Sequence, residues 1–336
     1  MRDESEAAAD TESSPRTETG DGSGTRAASP GERYPRDLRG YGATPPDPGW
    51  PGDAAIAVQI VLNVEEGGEN SVLHGDAGSE AFLSEIVGAA SWPGRRHMNM
   101  ESIYEYGARA GFWRVHRLLV SHEVPVTVFG VATALARVPE AVAAAREAGW
   151  EIATHGLRWI DYRDFTRAAE AEELERAIAL HERVVGEKPA GVYIGRTSEH
   201  THDLCAERAH FEYSADTYAD ELPYWRHSPS GPQLMVPYTL DANDMRFATA
   251  QGFNAGTQFL DYLVDSFDTL YAEGLAGSPK MLSIGLHSRL VGRPGRAAAL
   301  ARFLDHLRAH ERVWLARRID VARHWRRRFP PPDTAT

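Results

Sequence analysis

From residue 54 onward, short β-branched apolar runs alternate with stretches of helical periodicity, and this alternation limits the possible folds more than any other feature. The run at 56–64 is apolar at nearly every position, as a parallel strand covered on both faces must be. Helical periodicity over 101–120 precedes a second buried strand at 126–131. Residues 139–148 are alanine-rich and helical, and Gly149 is a suitable residue to end them. A short strand is expected at 151–154. The helix predicted over 165–185 carries acids early and basic residues late, complementing its dipole, and Gly186 closes it. Further strands are predicted at 192–194, 213–215, 234–236 and 281–286, with helices centred near Leu260 and Leu304. The pattern specifies an α/β fold with a parallel sheet, either an open doubly wound sheet or a barrel.

What precedes that pattern is different in kind. Residues 1–33 contain eight acids and four arginines and almost no large apolar side chains, so they cannot offset the entropy of ordering and are expected to be disordered. Residues 34–53 place Tyr34, Tyr41 and Trp50 among prolines and glycines, which predicts an irregular arm held by aromatic anchors. Residues 54–330 are then expected to form a single domain. The net charge of -12, without a basic stripe, excludes nucleic acid as a partner. No apolar run approaches the roughly 20 residues of a membrane span. The lone cysteine, Cys205, cannot staple the chain and sits in no nucleophile signature, so it is read as incidental. No secretory leader pattern stands at the start, which predicts a cytoplasmic protein.

In parallel α/β folds the reacting groups sit where strands end, because the loops there converge on one face. Glu65 and Glu66 follow the first strand, His155-Gly156-Leu157-Arg158-Trp159 the third, Arg196 the fourth and Asp216 the fifth; His287-Ser288-Arg289 and Arg293 follow the last. Adjacent residues of an extended strand point to opposite sides, so one of the two glutamates is expected to face a substrate.

This layout resembles the polysaccharide deacetylase (carbohydrate esterase 4, NodB-like) superfamily. That family's first motif is an apolar strand ending in two adjacent acids, the first a base and the second a metal ligand, and Glu65 and Glu66 stand there. Its second is His-x-x-x-His, a ligand pair; here His155 keeps the first place and Trp159 fills the second. Its last is an apolar strand ending in a histidine that acts as an acid, matched by His287. An indole cannot ligate, and a catalytic metal of this kind wants three protein ligands plus an open position. The strings Leu62-Asn63-Val64-Glu65-Glu66-Gly67-Gly68-Glu69 and Leu286-His287-Ser288-Arg289 read as the metal-independent allantoinase subgroup does.

The resemblance implies an irregular (β/α) barrel, with no metal and no cofactor, and a small-molecule substrate, allantoin, opened to allantoate in purine catabolism. It implies Glu65, His287 and His155 as catalytic groups, and a homotetramer. Glu66, Trp159, Arg196, Asp216 and Arg293 are the expected substrate contacts. The alternatives are another cyclic imide or amide hydrolase, or a metal-dependent polysaccharide or peptidoglycan deacetylase. His306 and His310 lie four apart on a predicted helix, a metal-pair spacing, but stand among Arg302, Arg308 and Arg312 and are read as a solvated face.

Overall fold

The computed structural model describes residues 36–332 apart from residue 87. The expected tail, 1–33, and Tyr34 lie outside the described residues. One compact unit spans Ala43–Thr336, and the sheet at its centre has nine strands. In chain order these are β1 (Ile56–Val64), β2 (Val126–Gly130), β3 (Glu151–Thr154), β4 (Gly191–Val192), β5 (Tyr213–Ser214), β6 (Tyr224–Ser228), β7 (Gly231–Met235), β8 (Lys280–His287) and β9 (Val313–Leu315).

They are ordered β6-β7-β5-β4-β3-β2-β1-β8, with β9 also pairing β1. All pairs are parallel except the β6–β7 hairpin. A single parallel bridge, Asn243 to Gly285, ties the segment after β7 to β8 across the remaining gap. The result is the irregular barrel, incompletely closed.

Every residue of β1 is buried, as its unbroken apolar run requires. Helices pack outside. The first is α1 (Met98–Tyr106), which runs through a π-helical segment, Gly107–Gly111, into α2 (Phe112–Ser121). The uninterrupted helix expected over 101–120 is therefore two helices joined by a wider turn. Next come α3 (Ala132–Arg137), α4 (Pro139–Glu147), α5 (Arg167–Val185) and α6 (Thr201–Ala206). The last three are α7 (Gly256–Leu275), α8 (Pro294–Arg308) and α9 (Arg318–Arg328). Thr166 caps α5 by accepting from Ala169 N–H, and Gly186 ends it at φ 95°, a left-handed conformation that only glycine adopts freely. The main apolar cluster joins β1, β2 and β8 to Val115 and Leu119 of α2, Phe259, Leu263 and Phe267 of α7, and Leu300 and Phe303 of α8.

The barrel interior is closed by polar groups. Fully buried Arg318, at the start of α9, donates to Gln59 Oε1 and Ser283 Oγ, both at 2.7 Å, and to the carbonyls of Val236 and Pro237. Trp50 is buried against Trp314, His324 and Trp325, and its Nε1 donates to the Lys280 carbonyl at 3.0 Å. No helix among the described residues is long and apolar enough to cross a membrane.

Candidate active site

Strand register assembles the site. Val64 pairs with Gly130, Gly130 with Thr154, and Asn63 with His287. Because these strands run parallel, Glu65, His155 and His287 emerge together at one carboxyl edge. Two backbone bonds lock that level: Val131 N–H to the Val64 carbonyl at 3.0 Å and His155 N–H to the Gly130 carbonyl at 2.9 Å. They open onto a cavity of about 260 Å3, also lined by Asn63, Phe82, Trp159, Tyr193, Arg196, Tyr218 and Tyr238.

Glu65 is the hub. Its Oε2 accepts from Arg289 Nη1 at 2.5 Å, and its Oε1 lies 3.3 Å from His155 Nε2 and 3.4 Å from His287 Nε2. All four side chains are buried. His155 Nδ1 donates to the Tyr193 carbonyl at 2.9 Å, which leaves Nε2 as the nitrogen facing Glu65. His287 Nδ1 donates to Asp244 Oδ1 at 2.6 Å. The other Asp244 oxygen accepts from the backbone N–H groups of His287 and Val291.

Burial alone would raise the pKa of Glu65. The charges of Arg289 and His287 and the imidazole hydrogen bonds override it and hold the carboxyl well below its ordinary range. Burial would likewise lower the pKa of His287, but the carboxylates of Glu65 and Asp244 raise it to about 9. His287 is therefore an imidazolium at neutral pH, with Nε2–H turned to Glu65. Arg289 and His287 balance Glu65 and Asp244, so two buried ion pairs share the site.

The remaining predicted residues divide. Trp159 forms a cavity wall with Phe82, their rings stacked at 5.8 Å, and the Arg196 guanidinium lies 5.0 and 5.2 Å from the two ring centroids. Three expected contacts do not line the cavity. Glu66 points the other way, as strand alternation requires, and packs against the π-helical turn so closely that a Cβ on Gly107 would strike its Oε1. Asp216 lies beneath the loop after β4, accepting from the N–H groups of Ile194 at 2.8 Å and Gly195 at 2.6 Å; burial raises its pKa to about 6. Arg293 stands at the residue before α8, where its side chain covers the Tyr106 ring and lies 3.6 Å from Glu85.

Sequence reasoning passed over Arg289 and Asp244. Arg289 sat in a quoted strand-end string without a role. Asp244 had no signal at all, because it comes from the irregular segment after β7.

A metal of the kind the resemblance involves does not fit these donors. Trp159 occupies the place of the second histidine, and the Arg289 guanidinium already holds one oxygen of Glu65. Among the described residues, the three ligand-type side chains grouped closely enough to share an ion are Asp268, His306 and His310, outside this cavity. A larger cleft of about 880 Å3 adjoins the cavity across Tyr218, Tyr238 and Leu240, at the gap between β7 and β8. Its acids (Asp220, Glu221, Asp241 and Asp265) have no histidine among them, so the chemistry belongs to the smaller space.

Comparison with known proteins gives the family and the fold. The polysaccharide deacetylase family model matches residues 100–215. A Schizosaccharomyces pombe protein named "Putative polysaccharide deacetylase" is 39% identical over 314 residues, covering 88% of this chain and 98% of its own. The solved structure of PuuE allantoinase superposes with a TM-score of 0.88 at 54% identity, covering 89% of this chain and 99% of that one. A probable polysaccharide deacetylase from Pseudomonas aeruginosa PAO1 superposes at 0.87 with 55% identity, covering 89% and 100%. With a relative this similar over nearly its whole length, the chain belongs to the polysaccharide deacetylase family.

Proposed function

We propose that this member of a hydrolase family opens the hydantoin ring amide of allantoin to give allantoate, without a metal. The observation that carries the reading is the cavity where Glu65, His155 and His287 meet while an indole and a guanidinium take the places a metal centre would need. Its volume falls just below the ~300–1,000 Å3 of drug-sized ligand pockets, which suits a compact ring better than a glycan chain. The likeness to PuuE allantoinase supports the same substrate.

In this mechanism water adds to the ring carbonyl carbon and gives its proton to Glu65. The carbonyl pair becomes an oxyanion on the side of the cavity lined by His155 and the Arg196 guanidinium, whose positive charge stabilises it. Collapse re-forms the carbonyl and breaks the C–N bond, and the ring nitrogen takes the proton from His287 Nε2. Glu65 then returns its proton to His287, 3.4 Å away. The carboxylic acid product ionises to solvent.

A carboxylate held well below its normal pKa is a weak base at rest. Once Glu65 has taken the proton from water, the negative charge that holds His287 protonated is gone, so the acid strengthens for the collapse step that follows. Trp159 offers a flat wall to a flat ring, and Arg196 a guanidinium for its carbonyl or ureido oxygens. The homotetramer belongs to the same reading and is checked by light scattering.

The deciding experiment is allantoate formation from allantoin by purified protein, with and without exhaustive chelation. Turnover that survives chelation is expected. Turnover lost on chelation and restored by zinc overturns the metal-free mechanism. No turnover in either state overturns the substrate and turns attention to cyclic imides and acetylated glycans.

A further inference from the structure

The pair formed by His306 of α8 and His310, just past its end, is not a bare solvated face. His306 and His310 are half-buried, and α7 brings Asp268 against them, an acid that lies 38 residues away in sequence. His306 Nε2 meets Asp268 Oδ1 at 2.8 Å. His310 Nδ1 donates to the His306 carbonyl at 2.8 Å, so its Nε2 keeps a free lone pair. That arrangement, one ring nitrogen tied to a backbone carbonyl and the other free, is how metal-bound histidines are usually held.

Aromatic rings fix the orientation from beneath. Phe267 meets His306 and His310 edge-on at 5.4 and 5.0 Å, and Tyr271 meets His310 at 5.2 Å. The two imidazole centroids stand 4.6 Å apart. Of the neighbouring arginines, Arg308 stands 3.7 Å from Glu123 and Arg312 3.1 Å from Asp53, so neither takes Asp268.

We propose that Asp268, His306 and His310 form a divalent transition-metal site joining α7 to the end of α8, separate from the catalytic cavity. Two imidazoles and a carboxylate with positions left for water suit Zn2+, Ni2+ or Co2+ rather than Ca2+ or Mg2+. With metal–ligand bonds of ~2.0–2.1 Å at tetrahedral angles, Nε2 and Oδ1 stand about 3.3 Å apart, so the existing pair opens by roughly half an ångström to admit an ion. Asp268 is half-exposed and can make that movement. The ion clamps two helices that already pack together, so it stabilises the folded chain in proportion to its binding. A metal retained on purification would then belong to this site, and its removal would leave turnover unchanged.

The test uses the full chain, stripped with a chelator and titrated calorimetrically with Zn2+ and with Ni2+. One equivalent per chain is expected, with a rise of a few degrees in Tm. Binding should weaken at least tenfold in His310→Gln and in Asp268→Asn. Co2+ added to the stripped wild type should give visible d–d bands that His310→Gln lacks, a readout that does not depend on stability. No binding to the stripped wild type overturns the proposal. Equal binding and equal Co2+ spectra in wild type and His310→Gln overturn it too. These outcomes are read without substrate, so they are independent of the allantoin assignment.

Discussion

Glu65 is charged, buried and surrounded by three cationic or protonatable partners, so its loss should be felt in two separate ways. Glu65→Gln keeps the shape but removes both the base and the charge that raises the pKa of His287. His287→Asn removes the acid. Each should lower kcat/KM by roughly 10²–10⁴, measured on allantoin or on whichever cyclic amide turns over. Near-full activity in either variant would sink the role given to that residue. Arg289→Met is the complementary case, since it strands a buried carboxylate. Breaking a buried pair from one side costs about 3–5 kcal/mol, so denaturant unfolding should show a loss of that order. A smaller loss with the wild-type m-value would mean the guanidinium compensates little of the burial cost of Glu65. At this scale the sequence showed the three groups that stand directly at parallel strand ends, because strand order and pairing carry them to one edge. It could not show which of the two adjacent glutamates would face the cavity, nor that Asp216 braces a loop, because those outcomes depend on packing against the π-helical segment and on the loop after β4.

The π-helical segment between α1 and α2 makes a prediction against intrinsic preference. In an ordinary helix interior, Gly→Ala stabilises by ~1 kcal/mol. At Gly107 the added methyl would collide with the buried Glu66 carboxylate, and overpacking of this kind costs about 1–3 kcal/mol. Gly107→Ala should therefore lower the denaturation midpoint, and adding Glu66→Ala should restore part of the loss through non-additivity. Stabilisation by the single change would contradict the close approach. The same region shows what periodicity can and cannot report. Apolar spacing over 101–120 is helical throughout, yet one widened turn within it is invisible, since a π turn shifts the phase by a single residue. β1, β2, β3 and β8 were legible because both faces are covered and the runs are unbroken. The hairpin partner β6 was not, because Tyr224–Ser228 is only partly buried or exposed along its length and mixes aromatic, basic and hydroxyl side chains. The three-residue β9 was too short for any period to show.

For the whole molecule, the shifted groups predict how stability follows pH, and the signs do not all agree. Glu65 has a folded pKa below its unfolded value, so its contribution is present above about pH 4.5 and is lost as the solution is acidified. Other groups work in the opposite sense, Glu69, Asp216 and His287 among them. Burial dominates at Glu69 and at Asp216, raising them to about 7 and about 6. His287 rises to about 9 because its carboxylate neighbours outweigh burial. A raised folded pKa contributes stability that is complete below the unfolded value and disappears as pH climbs through the folded one. The loss from Asp216 and Glu69 therefore runs from about pH 4 to 7, overlapping the end of the gain from Glu65. Above pH 7, His287 is still changing, and a shift from 6.5 to about 9 is worth roughly 3 kcal/mol. Thermal unfolding followed from pH 6.5 to 9.5 should thus show Tm falling steadily. The same series on His287→Asn should start lower and run nearly flat. Parallel slopes in the two proteins would mean that His287 is not held protonated by Glu65 and Asp244, and the acid in the proposed mechanism would have to be another group.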